Sequence, residues 1–212
     1  PEGGNVTNFL FAPDSSRAVY RADQETDEWF GLYCAPLDGS GEAVRLSGPH
    51  HTAADFAITA GSRFAVYRGR TAEDAPYELY RVPLEGGRLP VRLNTDLPAG
   101  GEVSSFEVSA NGDWVVYHAD QESDELGELF GVRVDGSAAP VRLNGPLASG
   151  GGVDQYRLSD DGRWVSFTVD HEGDGAFELY SARIDGEHLT HRSADGHAPA
   201  RPGHRAPPPP PY

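Results

Sequence analysis

One landmark returns four times along this chain of 212 residues: Leu32-Tyr33, Leu79-Tyr80, Leu129-Phe130 and Leu179-Tyr180, at steps of 47, 50 and 50 residues. A fixed period of this length marks a repeat architecture, in which each unit buries its apolar surface only against its neighbours. Other positions keep the same steps. Tyr20, Tyr67, Tyr117 and Phe167 form one series, Arg45, Arg92, Arg142 and Arg192 a second, and Gly39, Gly86, Gly136 and Gly186 a third. The units run over about residues 1–49, 50–99, 100–149 and 150–193, so residues 1–193 form one repeat domain.

Within each unit, runs rich in Val, Phe, Tyr and Leu are separated by Gly, Asp, Ser and Pro clusters, the pattern of short strands joined by turns. The third unit predicts strands at Val103–Ser109, Trp114–Ala119, Glu128–Val134 and Pro140–Leu143, with Asp135-Gly136 as a hairpin turn that favours positive φ. No segment keeps a helical period. A four-stranded sheet of short strands cannot cover two faces by itself, but sheets packed face to face around an axis can. The expected fold is therefore all-β, a β-propeller of four-stranded antiparallel blades with four repeats visible. A sandwich would not require one spacing to recur four times.

Residues 194–212 break the period and end in Pro207 to Pro211, a composition that reads as a disordered tail or a linker, with a proline-binding groove on a partner as the lesser alternative. The chain opens at Pro1 and has no methionine, which suggests a processed or truncated product. No run of about 18 apolar residues exists, so membrane insertion is not expected. All 17 basic residues are Arg, and against 33 acidic ones they leave a net charge of −16, which repels phosphate and argues against nucleic acid as a partner. Cys34 is the single cysteine, so stability rests on packing or on a bound metal, and the redox compartment stays open.

The segments Phe11-Ala12-Pro13-Asp14-Ser15, Val108-Ser109-Ala110-Asn111-Gly112 and Leu158-Ser159-Asp160-Asp161-Gly162 each precede a strand carrying an aromatic residue. They resemble the Ser-Pro-Asp-Gly signature of TolB-like propeller repeats. The second unit departs from it, reading Thr59-Ala60-Gly61-Ser62. The resemblance implies a periplasmic or extracellular binding module with a protein or peptide partner; similar repeats also form the substrate-gating propellers of some serine peptidases. Such propellers often have six or more blades. Four units imply either a small closed ring or a portion of a larger propeller, and the strand order, with no strand left over to interlock a closing blade, favours the portion.

The loop between the second and third strands is acidic in three units: Asp23, Glu25 and Asp27 in the first, Asp120, Glu122 and Asp124 in the third, and Asp170, Glu172 and Asp174 in the fourth. Carboxylates at loop positions 1, 3 and 5 can converge on a hard cation such as calcium, and Glu128 and Glu178 add a carboxylate at position 9. The spacing resembles the calcium loops of integrin-type propellers, except that Glu holds position 3. The second unit has Arg70 at the first position and breaks the pattern. The competing reading is that these are solvated turns of an acidic chain.

The arginine series is expected to pair with carboxylates of neighbouring strands. Trp114 and Trp164, beside Phe64, are expected to serve blade packing rather than a ligand platform, and His50, His51, His188 and His191 to be ordinary surface residues without zinc spacing. Cys34 shares its position with Arg81, Gly131 and Ser181, which reads as a tolerant site. No Gly-x-Ser-x-Gly elbow, phosphate loop or dinucleotide fingerprint occurs, and the acidic pairs alone do not define a glycosidase. The expectation is a noncatalytic binding propeller, the alternative being the propeller portion of a larger enzyme such as a serine peptidase whose catalytic domain lies outside this chain.

Overall fold

The computed structural model describes residues 4–191. Arg192 and the Pro-rich segment 194–212 lie outside the described residues. Sixteen strands form four separate four-stranded sheets, each an antiparallel meander in chain order. Blade 1 holds β1 (Val6–Phe11), β2 (Arg17–Ala22), β3 (Gly31–Pro36) and β4 (Val44–Arg45). Blade 2 holds β5 (Thr52–Ile58), β6 (Phe64–Arg70), β7 (Glu78–Pro83) and β8 (Val91–Arg92). In blade 3 come β9 (Val103–Val108), β10 (Trp114–Ala119), β11 (Glu128–Arg133) and β12 (Val141–Arg142), and in blade 4 β13 (Gly152–Leu158), β14 (Trp164–Asp170), β15 (Glu178–Arg183) and β16 (Leu189–His191). The predicted strands of the third unit match to within a residue at each end. No helix occurs among the described residues.

The repeating series now have structural reasons. The Tyr20 and Tyr33 series are cross-strand partners: Tyr20–Tyr33, Tyr67–Tyr80, Tyr117–Phe130 and Phe167–Tyr180 stack at centroid distances of 5.5, 5.4, 5.3 and 6.0 Å. Such pairs contribute about 0.5–1.5 kcal/mol beyond their burial. The glycine series closes the hairpin between the third and fourth strands with φ of 69, 74, 67 and 80°, a region that β-carbons disfavour. The signature turn is held by a hydroxyl. Thr59, Ser109 and Ser159 accept the backbone N–H of Phe64, Trp114 and Trp164 at 3.2, 3.0 and 3.0 Å. The second unit departs from the signature in sequence, yet Thr59 performs the same task.

Successive blades pack face to face. Three apolar clusters form, joining blades 1 and 2, 2 and 3, and 3 and 4. Each combines the following blade's leading face, such as Ala53, Phe56 and Leu84, with the preceding blade's trailing face, such as Val19, Leu32 and Leu46. Burying one such side chain stabilises by roughly 1.5–3 kcal/mol, so these clusters rather than the sheets' own ladders dominate cohesion. No cluster among the described residues joins blade 4 to blade 1. Within the described residues the four blades form an open arc and no small closed ring, with Val6, Phe9 and Phe11 of blade 1 left exposed.

The same polar contacts seal each junction. The backbone N–H of Ala53, Val103 and Val153 donates to the carbonyl of Phe30, Tyr77 and Gly127 in the preceding blade, at 2.8 Å each time. The carbonyls of the same Ala53, Val103 and Val153 are met by Arg21, Arg68 and His118 from the second strand of the preceding blade, at 2.5, 3.2 and 2.9 Å. Burial lowers the pKa of the His118 ring, whose Nδ1 lies beside the Ser104 hydroxyl.

The position shared by Cys34, Arg81, Gly131 and Ser181 is less tolerant than it reads. Cys34 is buried in the first junction, and burial raises its thiol pKa. A Cβ added to Gly131 would sit 2.3 Å from the Ile184 carbonyl oxygen, where blade 4 approaches blade 3. Gly131→Ala is therefore expected to cost about 1–3 kcal/mol, as overpacking does. Urea unfolding against the parent chain checks this, and an unchanged midpoint would show that the junction yields freely.

Candidate functional site

The blades have two ends. At one lie the acidic loops and the connections between blades; at the other lie the signature turns and the hairpins between third and fourth strands. The sequence directs attention to the first end, where the acidic residues have protein partners. Asp23 accepts the N–H of Asn5 and, at 3.3 Å, of Glu28. Asp170 accepts from Gly173, Asp174 and Gly175 at 2.7, 3.3 and 2.8 Å. These donors hold both carboxyls below their usual pKa, chiefly the Asn5 N–H for Asp23 and the Gly175 N–H for Asp170. Asp120 accepts from the Glu102 N–H at 2.7 Å and ties its loop to the incoming connection. The first carboxylate of each loop thus caps its own neighbourhood.

The third-position glutamates reach the outer-strand arginines. Glu25 pairs with Arg45, and Glu122 with Arg142 at 2.7 Å. Arg142 also meets Glu128 at 3.1 Å, and in blade 2 Arg92 meets Glu78 at 2.7 Å. Structural pairing of the arginine series, as expected, describes its three members within the described residues. Glu128 is buried, and desolvation pushes its pKa up despite the Glu122 N–H and Arg142. Asp27, Asp124, Glu172 and Asp174 are solvent-exposed, Asp174 accepting from the Ala176 N–H at 3.0 Å. Glu178 accepts from the Tyr180 hydroxyl at 3.1 Å. Among the described residues, no three His, Cys, Asp or Glu side chains are grouped as the ligands of one metal ion.

The second loop position, which drew no attention in the sequence, proves structural. Tyr20 and Tyr117 donate their hydroxyls to Gln24 and Gln121, at 3.3 and 2.8 Å. In blade 2 the loop carries Thr71 there, and Tyr67 bonds instead to His51 of the connection at 3.0 Å. In blade 4 the tyrosine is Phe167, and the loop residue His171 packs on Tyr180. His51 is accordingly no ordinary surface residue. It is half-buried, lies 4.7 Å from the Tyr80 ring, and has its pKa lowered by desolvation.

At the opposite end, two adjoining hollows of about 340 and 280 Å³ share Arg63 and Phe64. The first is lined also by Arg81, Glu85, Arg88 and Leu89, and the second by Asn111, Arg133 and Asp135. Arg81 and Arg63 stand 5.0 and 5.4 Å from the Phe64 ring. Neither they nor Arg88 makes a direct ion pair among the described residues, a state they share with Arg17, Arg21, Arg70, Arg157 and Arg163, whereas Arg45, Arg68, Arg92, Arg142 and Arg183 are paired; Arg81 is near enough to Asp135 to help lower its pKa. The Arg81 Nε is buried without a hydrogen-bond partner. Phe64 packs on the junction between blades 2 and 3, as expected for its series, and also forms the floor between the two guanidinium groups. The sequence signal for this groove is density: six of the 17 arginines fall between Arg63 and Arg92.

No protein-family model matches the chain, and no curated protein matches it. Solved structures do. A structure described as putative TolB from Agrobacterium tumefaciens is 19% identical, with a TM-score of 0.57 over 88% of this chain and 61% of that one. A puromycin-hydrolyzing peptidase of Mycobacterium tuberculosis is 12% identical, with a TM-score of 0.57 over 92% of this chain and 30% of that one. A structure from a study of two prolyl endopeptidases is 11% identical, with a TM-score of 0.62 over 89% of this chain and 29% of that one. The fold is therefore that of TolB-like and peptidase propellers, and the chain spans under two thirds of the length of each of these structures.

The buried and exposed arginine pairs should behave differently. Arg142→Ala leaves the buried Glu128 carboxylate without its countercharge and should cost about 1–3 kcal/mol. Arg45→Ala frees a Glu25 that is already half-exposed and should cost under about 1 kcal/mol. Chemical denaturation of the two variants checks the order, and equal losses would show that Glu128 carries no special burial penalty.

Proposed function

We propose that the chain is a noncatalytic propeller module that binds a protein partner by a carboxylate-bearing segment seated in the Arg63–Arg81–Arg88 groove. The observation that carries this is the unpartnered arginine cluster itself, set on an aromatic floor in a chain of net charge −16. A guanidinium that makes no direct ion pair in so acidic a protein is available to a carboxylate from outside, and its planar fork fits one in two-point contact. Arginine beside an aromatic ring is also the composition of interface hot spots. The periplasmic or extracellular setting implied by TolB-like repeats is part of this reading.

Fluorescence anisotropy with a labelled Asp/Glu-rich peptide, and with a Lys-rich peptide of equal length, tests it. The acidic peptide should bind more tightly and lose affinity with added salt. Arg81→Glu should weaken it about 10–100-fold, the range that follows from losing one charged hydrogen-bonded contact. Equal binding of the two peptides, or an Arg81→Glu variant that binds like the parent, would remove the groove from consideration.

A second reading is supported by the peptidase structures, whose propellers share this fold: the chain is the propeller portion of a larger enzyme such as a serine peptidase. A nucleophile-elbow motif encoded in the same reading frame beyond residue 212 or before residue 1 would support it. Calcium at the acidic loops is a separate proposal, supported by their carboxylate spacing and opposed by the hydrogen bonds those carboxylates already make. Thermal unfolding in about 2 mM calcium and in chelator decides it, on the scale at which extracellular calcium modules fill. A calcium-specific rise abolished by Asp170→Ala with Asp174→Ala would establish the site, and coincident curves would dismiss it.

A further inference from the structure

Every junction between blades in this chain is built to one plan, and the two ends of the arc carry the unmatched halves of that plan. In blade 2, Ala53, Phe56 and Leu84 of the leading face are 1, 7 and 2% exposed. Their counterparts in blade 1, Val6, Phe9 and Leu37, are 59, 63 and 46% exposed, and Phe11 is 61% exposed where Ile58 packs into the first junction. On the trailing side, Leu32, Leu79 and Leu129 are fully buried by the blade that follows them, while their counterpart Leu179 is 43% exposed.

The polar devices repeat in the same way. Phe30, Tyr77 and Gly127 each offer a carbonyl to the next blade, and Phe177 holds that position in blade 4. Ala53, Val103 and Val153 donate to them, and Val6 holds the donor's position, paired with Ala22 as Ala53 is with Gly69. Arg21, Arg68 and His118 reach across to the following blade; Thr168 stands in their place, and its hydroxyl is buried without a hydrogen-bond partner. Blade 4 does differ in one respect. Ser166 and Ser181, bonded to each other at 3.0 Å, stand where blade 1 has Val19 and Cys34, so this face is more polar at that point than the trailing face of blade 1.

We propose that the leading face of blade 1 docks on the trailing face of blade 4 of a second copy of this chain, and that two copies join head to tail in both directions to close one eight-bladed ring. The argument is continuity: the junction needed is the one the chain already makes three times. Head-to-tail interfaces end in rings where the rotation closes, and eight blades lie within the usual size of propellers. The moderate polarity of the blade 4 face suits a junction between separate molecules, whose surfaces are wet before they meet.

Light scattering of the purified 212-residue chain gives the first readout. A mass of twice 22.8 kDa at micromolar concentration is expected. Phe9→Asp with Phe11→Asp on one face, and Leu179→Asp on the other, should each give a chain of single mass with unchanged circular dichroism, since all three side chains are exposed within one copy. Mixing the two variants should restore the double mass, because one of the two junctions then has both faces intact. A parent chain of single mass would overturn the proposal. So would a dimer that Phe9→Asp with Phe11→Asp abolishes and Leu179→Asp does not, which would mean that two blade 1 faces meet each other, or open-ended oligomers in place of a closed pair.

Discussion

The packing of one blade's leading face on its predecessor's trailing face is the constraint from which the rest of this structure follows. A meander of four short strands has two apolar faces and no thickness of its own, so it persists only between neighbours. Burial of Leu32, Leu79 and Leu129 at successive junctions sets the spacing of the blades, and the recurring backbone bond at 2.8 Å sets their rotation. Gly131 shows how tight that spacing is, since the next blade's carbonyl occupies the space a side chain would need.

With the junctions fixed, the two ends of the blades take up different tasks. At the end carrying the connections, polar side chains are spent on holding backbone in place. Asp23, Asp120 and Asp170 accept amide hydrogens, Glu25 and Glu122 neutralise outer-strand arginines, and Gln24, Gln121 and His51 satisfy tyrosine hydroxyls of the second strands. At the other end, blade 2 leaves Arg63, Arg81 and Arg88 without direct ion pairs, the first two resting on Phe64. A polar group that serves the fold is occupied, whereas one that serves a partner is left available, and this contrast places the candidate site away from the end that looks more eventful in the sequence.

Much of the fold was legible because periodicity reports packing directly. The Tyr20 and Tyr33 series keep step because they stack on each other, and the Gly39 series keeps step because one hairpin geometry recurs. The candidate groove was far less legible. Arg63 and Arg81 lie 18 residues apart and in different series, so no motif spacing links them, and Arg81 shares its position with cysteine, glycine and serine. His51 was misread as a surface residue for a related reason: its partner Tyr67 sits 16 residues away, and only the crossing of the connection over β6 brings them together.

The amino-acid sequence by itself determined the unit, its four strands and its turns, since these rest on contacts within about 50 residues whose chemistry repeats in register. It also determined that the blades would stack, because alternating apolar positions leave two faces to cover. Only the tertiary structure decided that the stack stays open, that the leading carboxylates of the acidic loops cap backbone and Glu25 and Glu122 pair with arginines, and that Arg63 and Arg81 of blade 2 meet over one ring. Those outcomes depend on which side chains of different units come within a few ångströms of one another, a distance that linear spacing does not encode.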